Sequence, residues 1–572
     1  MGSISFTDLS LEGQQTVPRP RTTKNYGQRL LPQVIDETAL ENPSLVIGLT
    51  AKSSTTGETP YEFIPLTVSQ FADAVNHMSH WLDGILGKDS KQVIGFVGLQ
   101  DFRYPILEVA AIKTGNMLLL PSPRNALSNT LHLLSTTSCS TIFYPGAGSP
   151  IETHVKALQH QLGSDKLQLH PIPSLEEMIS TKAEHYEYNK TYEEAKKDVV
   201  LILHTSGSTG APKPIRLNNA YLKRADSEHL TPVIEGRVHA DLRNLKSPLY
   251  NGSPFFHLSG IAVAFRALFA GIAVVIAPPE VPATPKVACD IARSIELKTV
   301  VAAPHVVDSL FAEHGEELKR HFQKLEHAIW FGGTLAHTTG DWIIENLPHV
   351  HLWQFYGSTE MAWFPMLVAP KTHWSYMEFH PSLGPHLEPH DPSSDLHELV
   401  VRPHANSSHS WATPIFDIFP EHNEWRSRDL FKRCQDPGFE NLWKFESRVD
   451  DIIILNNALK VNPLHVEVRL QSHPVLKGAM VFGEGRVKCG ILLEPKEGVQ
   501  KEILLRKVWK DIERANADVP EHARVEKHLV VVADEEKPFV RASKGTIVRA
   551  ATGKLYEREI EEVYGRAVEV EA

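Results

Sequence analysis

Cysteine is scarce in this chain, and its uninterrupted apolar runs are short. Only four cysteines occur among 572 residues. They are far apart and form no Cys-x-x-Cys pair, so neither a disulfide framework nor a cysteine-based zinc site is indicated. No window reaches the roughly eighteen consecutive apolar residues of a membrane span, and the N-terminus lacks the apolar core of a secretory signal. We therefore expect a cytoplasmic protein with no membrane partner.

A basic surface and a regular metal-binding pattern are also missing. The formal net charge is −11, which argues against nucleic acid as a partner. Thirty histidines occur, but their spacing is not that of a consistent metal-ligand set. The length exceeds what one hydrophobic core normally serves, and 42% apolar residues are enough for at least two domains.

The order of apolar runs predicts a layered α/β fold. Helix-like stretches alternate with short, strand-like apolar runs over residues 66–203, and the alternation resumes over 272–331. Short strands and turns over 398–445 predict a β-rich subdomain. We expect a large N-terminal domain, residues 1–446, built from layered sheets and this subdomain. A small, mobile α+β domain is expected to follow over residues 447–572.

Residues 204–214, His-Thr-Ser-Gly-Ser-Thr-Gly-Ala-Pro-Lys-Pro, are the most informative stretch. They follow an apolar run, residues 199–203, that has the length of a buried strand. Small hydroxylated residues and glycines can wrap phosphate oxygens closely, and Lys213 adds a cation. The spacing of Gly207, Gly210 and Lys213 differs from that of a Walker P-loop. The stretch therefore predicts a nucleotide triphosphate site of another type.

Further motifs follow this loop in a fixed order. They are Pro254-Phe255-Phe256-His257, Phe331-Gly332-Gly333-Thr334, Tyr356-Gly357-Ser358-Thr359-Glu360, Arg428-Asp429, Arg448-Val449-Asp450-Asp451 and Lys544. From about residue 66 to the C-terminus the series resembles that of the adenylate-forming superfamily of acyl-CoA synthetases, peptide-synthetase adenylation domains and luciferases. The segment 121–125, Pro-Ser-Pro-Arg-Asn, and the ending Lys544-Gly545-Thr546 look more narrowly like fungal peptide-synthetase-like carboxylic acid reductases.

The resemblance implies that ATP and Mg²⁺ bind and that a carboxylic acid is activated as an acyl adenylate. Glu360 would ligate Mg²⁺, for which a carboxylate is a suitable ligand. Thr359 would contact the α-phosphate, and His257 would join Thr359, Lys213 and Lys544 as a catalytic residue. The other nucleotide contacts implied are Thr205, Ser206, Gly207, Ser208, Thr209 and Gly210 for phosphate, Gly332, Gly333, Thr334 and Tyr356 for adenine, and Asp429 and Arg448 for ribose. Gly357 is a further cofactor-binding residue.

The C-terminal motif departs from the family pattern. The family usually ends in Gly-Lys, whereas this chain has Lys544-Gly545. Lys544 still lies six residues after Pro538, so we assign it to the substrate carboxylate and α-phosphate, with Lys554 as the alternative. The resemblance also implies a hinge at Asp450, about which the C-terminal domain rotates before thiol attack. Asn457-Ala458 stands where the family has the glycine pair that lines the thiol tunnel.

The resemblance places the acyl pocket at His257, Leu258, Phe355, Trp363 and Phe364. Leu258 stands where amino-acid-activating members carry an aspartate. An unpaired buried ammonium is costly, so we expect an acid without a free α-amine. An aromatic acid is the leading hypothesis. An aromatic cage around a quaternary ammonium acid, or simple filling of the core by these rings, stays open.

The expected acceptor is a phosphopantetheine thiol, belonging either to coenzyme A or to a carrier protein acting in trans. These expectations describe an acid-thiol ligase of fungal secondary metabolism. Two alternatives remain. The chain is an adenylation domain excised from a fungal carboxylic acid reductase or a peptide-synthetase-like enzyme, or it is a non-catalytic sensor of nucleotide or acyl group with the same fold.

Overall fold

The computed structural model describes residues 25–55, 57–206, 212–241, 244–281, 284–390, 395–457, 459–471, 473–541 and 546–571. The chain divides into two compact units. The first unit comprises residues 1–205, 211–384 and 402–424, and the second comprises 206–210, 385–401 and 425–572. The domain boundary proposed between residues 446 and 447 lies within the second unit and stays a prediction. Among the described residues, no helix combines the length and apolarity needed to cross a membrane.

The first unit consists of helices packed on strands. In chain order its helices are α1 (Leu31–Glu41), α2 (Val68–Leu86), α3 (Arg103–Thr114), α4 (Leu127–Thr137), α5 (Glu152–Leu162), α6 (Leu175–Ser180), α7 (Tyr192–Ala195), α8 (Asn219–Ser227), α9 (Leu258–Ala270), α10 (Pro285–Ser294), α11 (Pro304–Asp308), α12 (Gly315–Leu318), α13 (His337–Asn346) and α14 (Ile415–Ile418). Its strands are β1 (Val46–Ser53), β2 (Tyr61–Thr67), β3 (Val93–Phe96), β4 (Met117–Leu119), β5 (Thr141–Tyr144), β6 (Gln168–Pro171), β7 (Val199–Ser206), β8 (Pro212–Asn218), β9 (Leu249–Asn251), β10 (Val274–Ile276), β11 (Thr299–Ala302), β12 (His327–Phe331), β13 (His351–Phe355), β14 (Gly357–Ser358), β15 (Ala362–Trp363), β16 (Met366–Leu367) and β17 (Glu378–Phe379).

Two mainly parallel sheets form the framework of the first unit. The six-stranded sheet has the order β6-β5-β3-β4-β7-β8, and the seven-stranded sheet has the order β13-β12-β11-β9-β10-β1-β2. In the larger sheet, every pairing from β13 to β1 is parallel, and only β2 runs antiparallel to its neighbour. Strands covered on both faces are buried along their whole length, as β11 is. This confirms the predicted α/β fold class.

Local signals in the sequence account for several helix ends. Thr67 and Gln70 form a reciprocal capping box at the start of α2. Thr284 caps α10, whose first residue is a proline. Gly115 ends α3 in a left-handed conformation, with a φ of 74°.

The second unit combines an antiparallel sheet with a smaller α/β part. Its strands are β18 (His386–Pro389), β19 (Leu396–Val401), β20 (Trp425–Arg433), β21 (Trp443–Arg448), β22 (Ile453–Ile454), β23 (Lys460–Val461), β24 (Leu476–Phe482), β25 (Cys489–Pro495) and β26 (Val525–Val532), and its helices are α15 (Leu464–Gln471), α16 (Lys501–Ala517), α17 (Arg549–Leu555) and α18 (Glu557–Glu571). β18 to β21 form the antiparallel sheet, β22 and β23 a hairpin, and β24 to β26 a three-stranded sheet. The short strands predicted over 398–445 correspond to β19, β20 and β21.

Candidate active site

Three of the sequence motifs follow parallel strands of the seven-stranded sheet. Residues 356–360 begin directly after β13, residues 332–334 directly after β12, and residues 254–257 shortly after β9. In this sheet β13 adjoins β12, and β11 lies between β12 and β9. Because these strands are parallel, their carboxyl ends meet at one edge. The structure therefore brings the three motifs to the edge where ligands bind in open α/β sheets.

Thr359 and Glu360 lie in the tight turn between β14 and β15. Thr359 is buried, and its carbonyl oxygen accepts a hydrogen bond of 2.8 Å from the hydroxyl of buried Tyr221. Ala362 closes the turn with a φ of 57°, a left-handed conformation that L-residues rarely adopt. A strained backbone of this kind persists only where its surroundings hold it, and it is common at functional sites.

The carboxylate of Glu360 has an environment suited to a divalent cation. Glu360 is half-buried, on a turn anchored through Thr359. Burial raises the pKa of the Tyr221 phenol well above its usual range, and the negative charge of Glu360 is the next largest cause. The carboxylate of Glu360 therefore lies near a poorly solvated part of the protein. A bound Mg²⁺ would neutralise its negative charge, and Mg²⁺ prefers oxygen ligands of this kind. Glu360 thus offers one carboxylate of the kind that Mg²⁺ takes as a ligand.

His257 caps the N-terminus of α9 and is held by Ser259, which Ser253 contacts in turn. Its Nδ1 accepts a hydrogen bond of 3.3 Å from the Ser259 backbone N–H and lies 2.8 Å from Ser259 Oγ. Ser259 Oγ is in turn 2.5 Å from Ser253 Oγ. Because Nδ1 accepts, we assign the ring proton of neutral His257 to Nε2. The sequence reasoning missed both serines, although they lie within four residues of His257.

The predicted phosphate loop is bounded by two strands. β7 continues three residues beyond the apolar run 199–203, so Thr205 and Ser206 belong to a strand, whereas the sequence suggested a loop from residue 204 onwards. Lys213 is exposed near the start of β8. The remaining loop residues predicted to hold phosphate, Gly207, Ser208, Thr209 and Gly210, lie outside the described residues, as does Lys544.

His204 joins this strand to the segment 121–125. Its Nε2 accepts a hydrogen bond of 3.1 Å from the Ser122 backbone N–H and lies 3.5 Å from Asn125 Nδ2. Burial lowers the pKa of His204 to about 4, so the ring is neutral and able to accept. The sequence singled out both stretches but gave no sign of their contact, which spans 82 positions.

The predicted acyl-pocket residues lie on β13, on the segment after it and at the start of α9. Phe364 is buried and stacks on Tyr356, with ring centroids 6.0 Å apart and an interplanar angle of 16°. Phe355 is half-buried, and the buried Trp363 donates its indole N–H to Glu228. Leu258 is the first residue of α9 and is half-buried. Of the predicted adenine contacts, Gly332 has a φ of 75°, a conformation that favours glycine.

The predicted ribose contacts belong to the second unit. Asp429 on β20 lies opposite Arg448 on β21, and Arg448 Nε is 3.0 Å from Asp429 Oδ1. Arg428, just before Asp429, has a left-handed backbone with a φ of 62° and an ion pair of 2.5 Å to Asp450, the predicted hinge residue. Asp450 lies in a short 3₁₀ turn, residues 449–451. Of the two candidate lysines, the described one is Lys554, which is exposed near the end of α17.

Comparison with known proteins identifies the family. The profile of a family described as AMP-binding enzyme matches residues 52–387, and that of the AMP-binding enzyme C-terminal domain matches residues 450–568. The chain is 28% identical over 552 residues to a carboxylic acid reductase of Neurospora crassa, covering 94% of this chain and 51% of the relative. It is 30% identical over 549 residues to the isocyanide synthase-NRPS hybrid crmA of Aspergillus fumigatus, covering 94% of this chain and 34% of the relative.

The chain thus spans about half of the first relative's length and about a third of the second. Among solved structures, the fold is similar to the A domain of carboxylic acid reductase from Segniliparus rugosus in complex with AMP and a co-purified carboxylic acid. The TM-score is 0.69 at 14% identity, with 95% of each chain covered. At this identity the likeness concerns the fold.

Proposed function

Because this chain belongs to the AMP-binding enzyme family, we propose that it activates a carboxylic acid with ATP to form an acyl adenylate. One observation carries this proposal. The motifs at 254–257, 332–334 and 356–360 share one sheet edge, and there the Thr359–Glu360 turn is fixed by Tyr221. The curated relative named carboxylic acid reductase supports a carboxylic acid as the substrate class.

In the proposed first step, a carboxylate oxygen of the acid attacks the α-phosphorus of ATP. The bond from the α-phosphorus to the bridging oxygen breaks, and pyrophosphate leaves. Negative charge builds on phosphate oxygens, so fixed donors and cations lower the barrier. Thr359 is proposed to contact the α-phosphate, Glu360 to hold Mg²⁺, and Lys213 to meet the outer phosphates.

The nucleoside contacts follow the same proposal. Tyr356 and Gly357 with residues 332–334 would enclose adenine, and Asp429 would accept the ribose hydroxyls beside Arg448. A carboxylate accepts two hydroxyl donors at once, which suits a vicinal diol.

In the proposed second step, a thiol sulfur attacks the acyl carbonyl carbon and AMP leaves. The thiol belongs to phosphopantetheine, either of coenzyme A or of a carrier protein acting in trans. Rotation of the C-terminal part about Asp450 would remove Lys544 between the steps. A loading assay with coenzyme A and with a phosphopantetheinylated carrier distinguishes the two acceptors.

Acid-dependent exchange of labelled pyrophosphate into ATP tests the proposed activity. We expect exchange with benzoic, cinnamic or other acids that lack an α-amine, and none with proteinogenic amino acids. Glu360→Gln removes the charge that holds Mg²⁺, so the Mg²⁺ concentration for half-maximal exchange should rise about tenfold. Glu345→Gln, an exposed change on α13, is the matched control. A folded, ATP-binding protein that supports no exchange with any acid would favour the sensor alternative.

The Ser259→Ala variant tests whether the serine pair orients His257. Alanine keeps the backbone N–H of α9 but removes the hydroxyl beside Nδ1. We expect exchange to slow by about five- to tenfold, the worth of one orienting hydrogen bond, with ATP affinity unchanged. Ser259→Thr should restore most of the rate. Ser180→Ala, which removes an exposed serine hydroxyl on α6, is the control. Equal rates for Ser259→Ala and the unmodified protein would contradict the role.

A further inference from the structure

A buried cluster of charges lies against two of the proposed acyl-pocket rings. Arg224 and Glu228 are each 1% exposed, and Arg266 on α9 is 2% exposed. One carboxylate joins the two cations, because Glu228 lies 2.7 Å from the Arg266 guanidinium and 3.6 Å from that of Arg224. We name these three residues the Arg224–Glu228–Arg266 cluster.

Both guanidinium groups of the cluster face aromatic rings. That of Arg266 lies 4.4 Å from the ring centroid of Phe355 and 5.0 Å from that of Trp363. That of Arg224 lies 5.3 Å from the Trp363 centroid. These distances are within the range of cation–π interaction. Phe355 and Trp363 thus each already lie within cation–π distance of a guanidinium group of the protein itself.

Hydrogen bonds fix Trp363 in this position. Its indole N–H donates to Glu228, and its carbonyl oxygen accepts a hydrogen bond of 3.1 Å from Arg224 Nε. Burial lowers the pKa of Arg224 to about 10, an effect that Glu228 opposes and Arg266 reinforces. The cluster holds two guanidinium charges against one carboxylate, so its net charge is positive, and burial leaves that charge poorly screened by water.

We propose that Arg266, assisted by Arg224, determines specificity by making the acyl pocket accept neutral acyl groups and reject cationic ones. This inference rests on the proposed function, because it places Phe355 and Trp363 in the acyl pocket. A quaternary ammonium group there meets rings already occupied by guanidinium groups, together with repulsion from them. The sequence left open whether these rings form an aromatic cage for a quaternary ammonium acid. The positive charge of the cluster disfavours such a cage.

Two matched pairs of ligands test the proposal. 3,3-Dimethylbutanoate and trimethylammonioacetate differ only by a carbon or a charged nitrogen at the branch point, and 4-tert-butylbenzoate and 4-(trimethylammonio)benzoate form a larger pair. Each acid is joined to sulfamoyl adenosine, and binding is measured by calorimetry, so the readout needs no turnover. We expect at least one neutral conjugate to bind about tenfold or more tighter than its cationic partner. Equal or tighter binding of the cationic conjugates would overturn the proposal.

Variants assign the effect to the cluster. In Arg266→Met the preference for the neutral conjugate should fall to about threefold or less, because one repelling charge is lost while Glu228 remains. Arg293→Met, which removes a partly exposed arginine paired with Asp290 and Glu317, should keep the full preference. If Arg266→Met does not fold, Arg266→Gln removes the same charge but keeps a hydrogen-bond donor for Glu228, and it should show the same fall. An unchanged preference in a folded variant would contradict the role of Arg266.

Failure of this inference is distinguishable from failure of the proposed function. A preference for neutral conjugates without any pyrophosphate exchange would count against adenylation alone. Exchange with a quaternary ammonium acid in preference to its neutral partner would count against the inference alone. Binding of neither pair would contradict the inference, because a pocket that accepts neutral acyl groups is its premise.

Discussion

Replacing Gly357 with alanine is expected to slow acid-dependent pyrophosphate exchange about 100-fold or more. A Cβ at this position would lie 1.8 Å from the carbonyl oxygen of Ala362 and 2.8 Å from the Cα of Trp363. Both are backbone atoms of β15, so no side-chain rotation relieves the overlap. The hairpin of β14 and β15 must open, and it carries Thr359 and Glu360 in its turn.

The measurement combines exchange rates with thermal unfolding and ATP binding. Gly357→Ala should lower the unfolding temperature, because it displaces the buried strand β15, and it should impair exchange even at temperatures where the protein remains folded. Gly84→Ala is the matched control. That glycine lies inside α2 and has no heavy atom within 4 Å of the added Cβ, so alanine there should be neutral or stabilising. Normal exchange in Gly357→Ala would show that the hairpin does not set the positions of Thr359 and Glu360.

Much of the framework was predictable, because parallel strands and amphipathic helices leave local patterns. The run Thr299–Ala302 is apolar and β-branched, and it forms β11 as predicted. A helix was expected over 306–314. The structure has α11 and then a π-helical turn, residues 309–313. Apolar periodicity predicts a helical segment but does not specify which carbonyl each N–H will reach.

The contacts that organise the candidate site could not be predicted in the same way. Arg224 and Glu228 are four residues apart, a spacing typical of an exposed pair on a helix surface. Their burial depends on Arg266 and Trp363, which come from distant parts of the chain. The hydrogen bond between His204 and Ser122 likewise joins residues that are far apart in the sequence. Without an alignment, one sequence carries no signal for such long-range pairs, whereas ordered motifs such as 356–360 are recognisable on their own.

The choice between Lys544 and Lys554 depends on what holds the chain around each residue. Lys544 lies outside the described residues, but the chain on either side is anchored. Arg541 and Ile547 form an antiparallel bridge, and the Val548 N–H donates to the Val540 carbonyl at 2.8 Å. Lys554 instead lies on α17 with an exposed side chain, as most helical lysines do. We therefore keep Lys544 as the proposed catalytic lysine.

Lys544→Ala should lower the rate of adenylation about 100-fold or more, while thiol transfer from a synthetic acyl adenylate changes about threefold or less. The lysine is proposed to bring the acid carboxylate and the α-phosphate together, and both are anions that repel each other before the bond forms. Once the adenylate exists, that repulsion is gone. Single-turnover assays of each half-reaction measure the two rates separately.

Two further variants complete this test. Lys554→Ala should leave both half-reactions unchanged. Asp450→Pro should give the opposite split, with adenylation retained and thiol transfer lost, because proline fixes one backbone torsion at the proposed hinge. Adenylation that survives Lys544→Ala but fails in Lys554→Ala would move the catalytic role to α17. In that case the reversed Lys544-Gly545 order would mark a departure from the family pattern. Lys554 on α17, ten residues later in the chain, would then perform the function of the family's catalytic lysine.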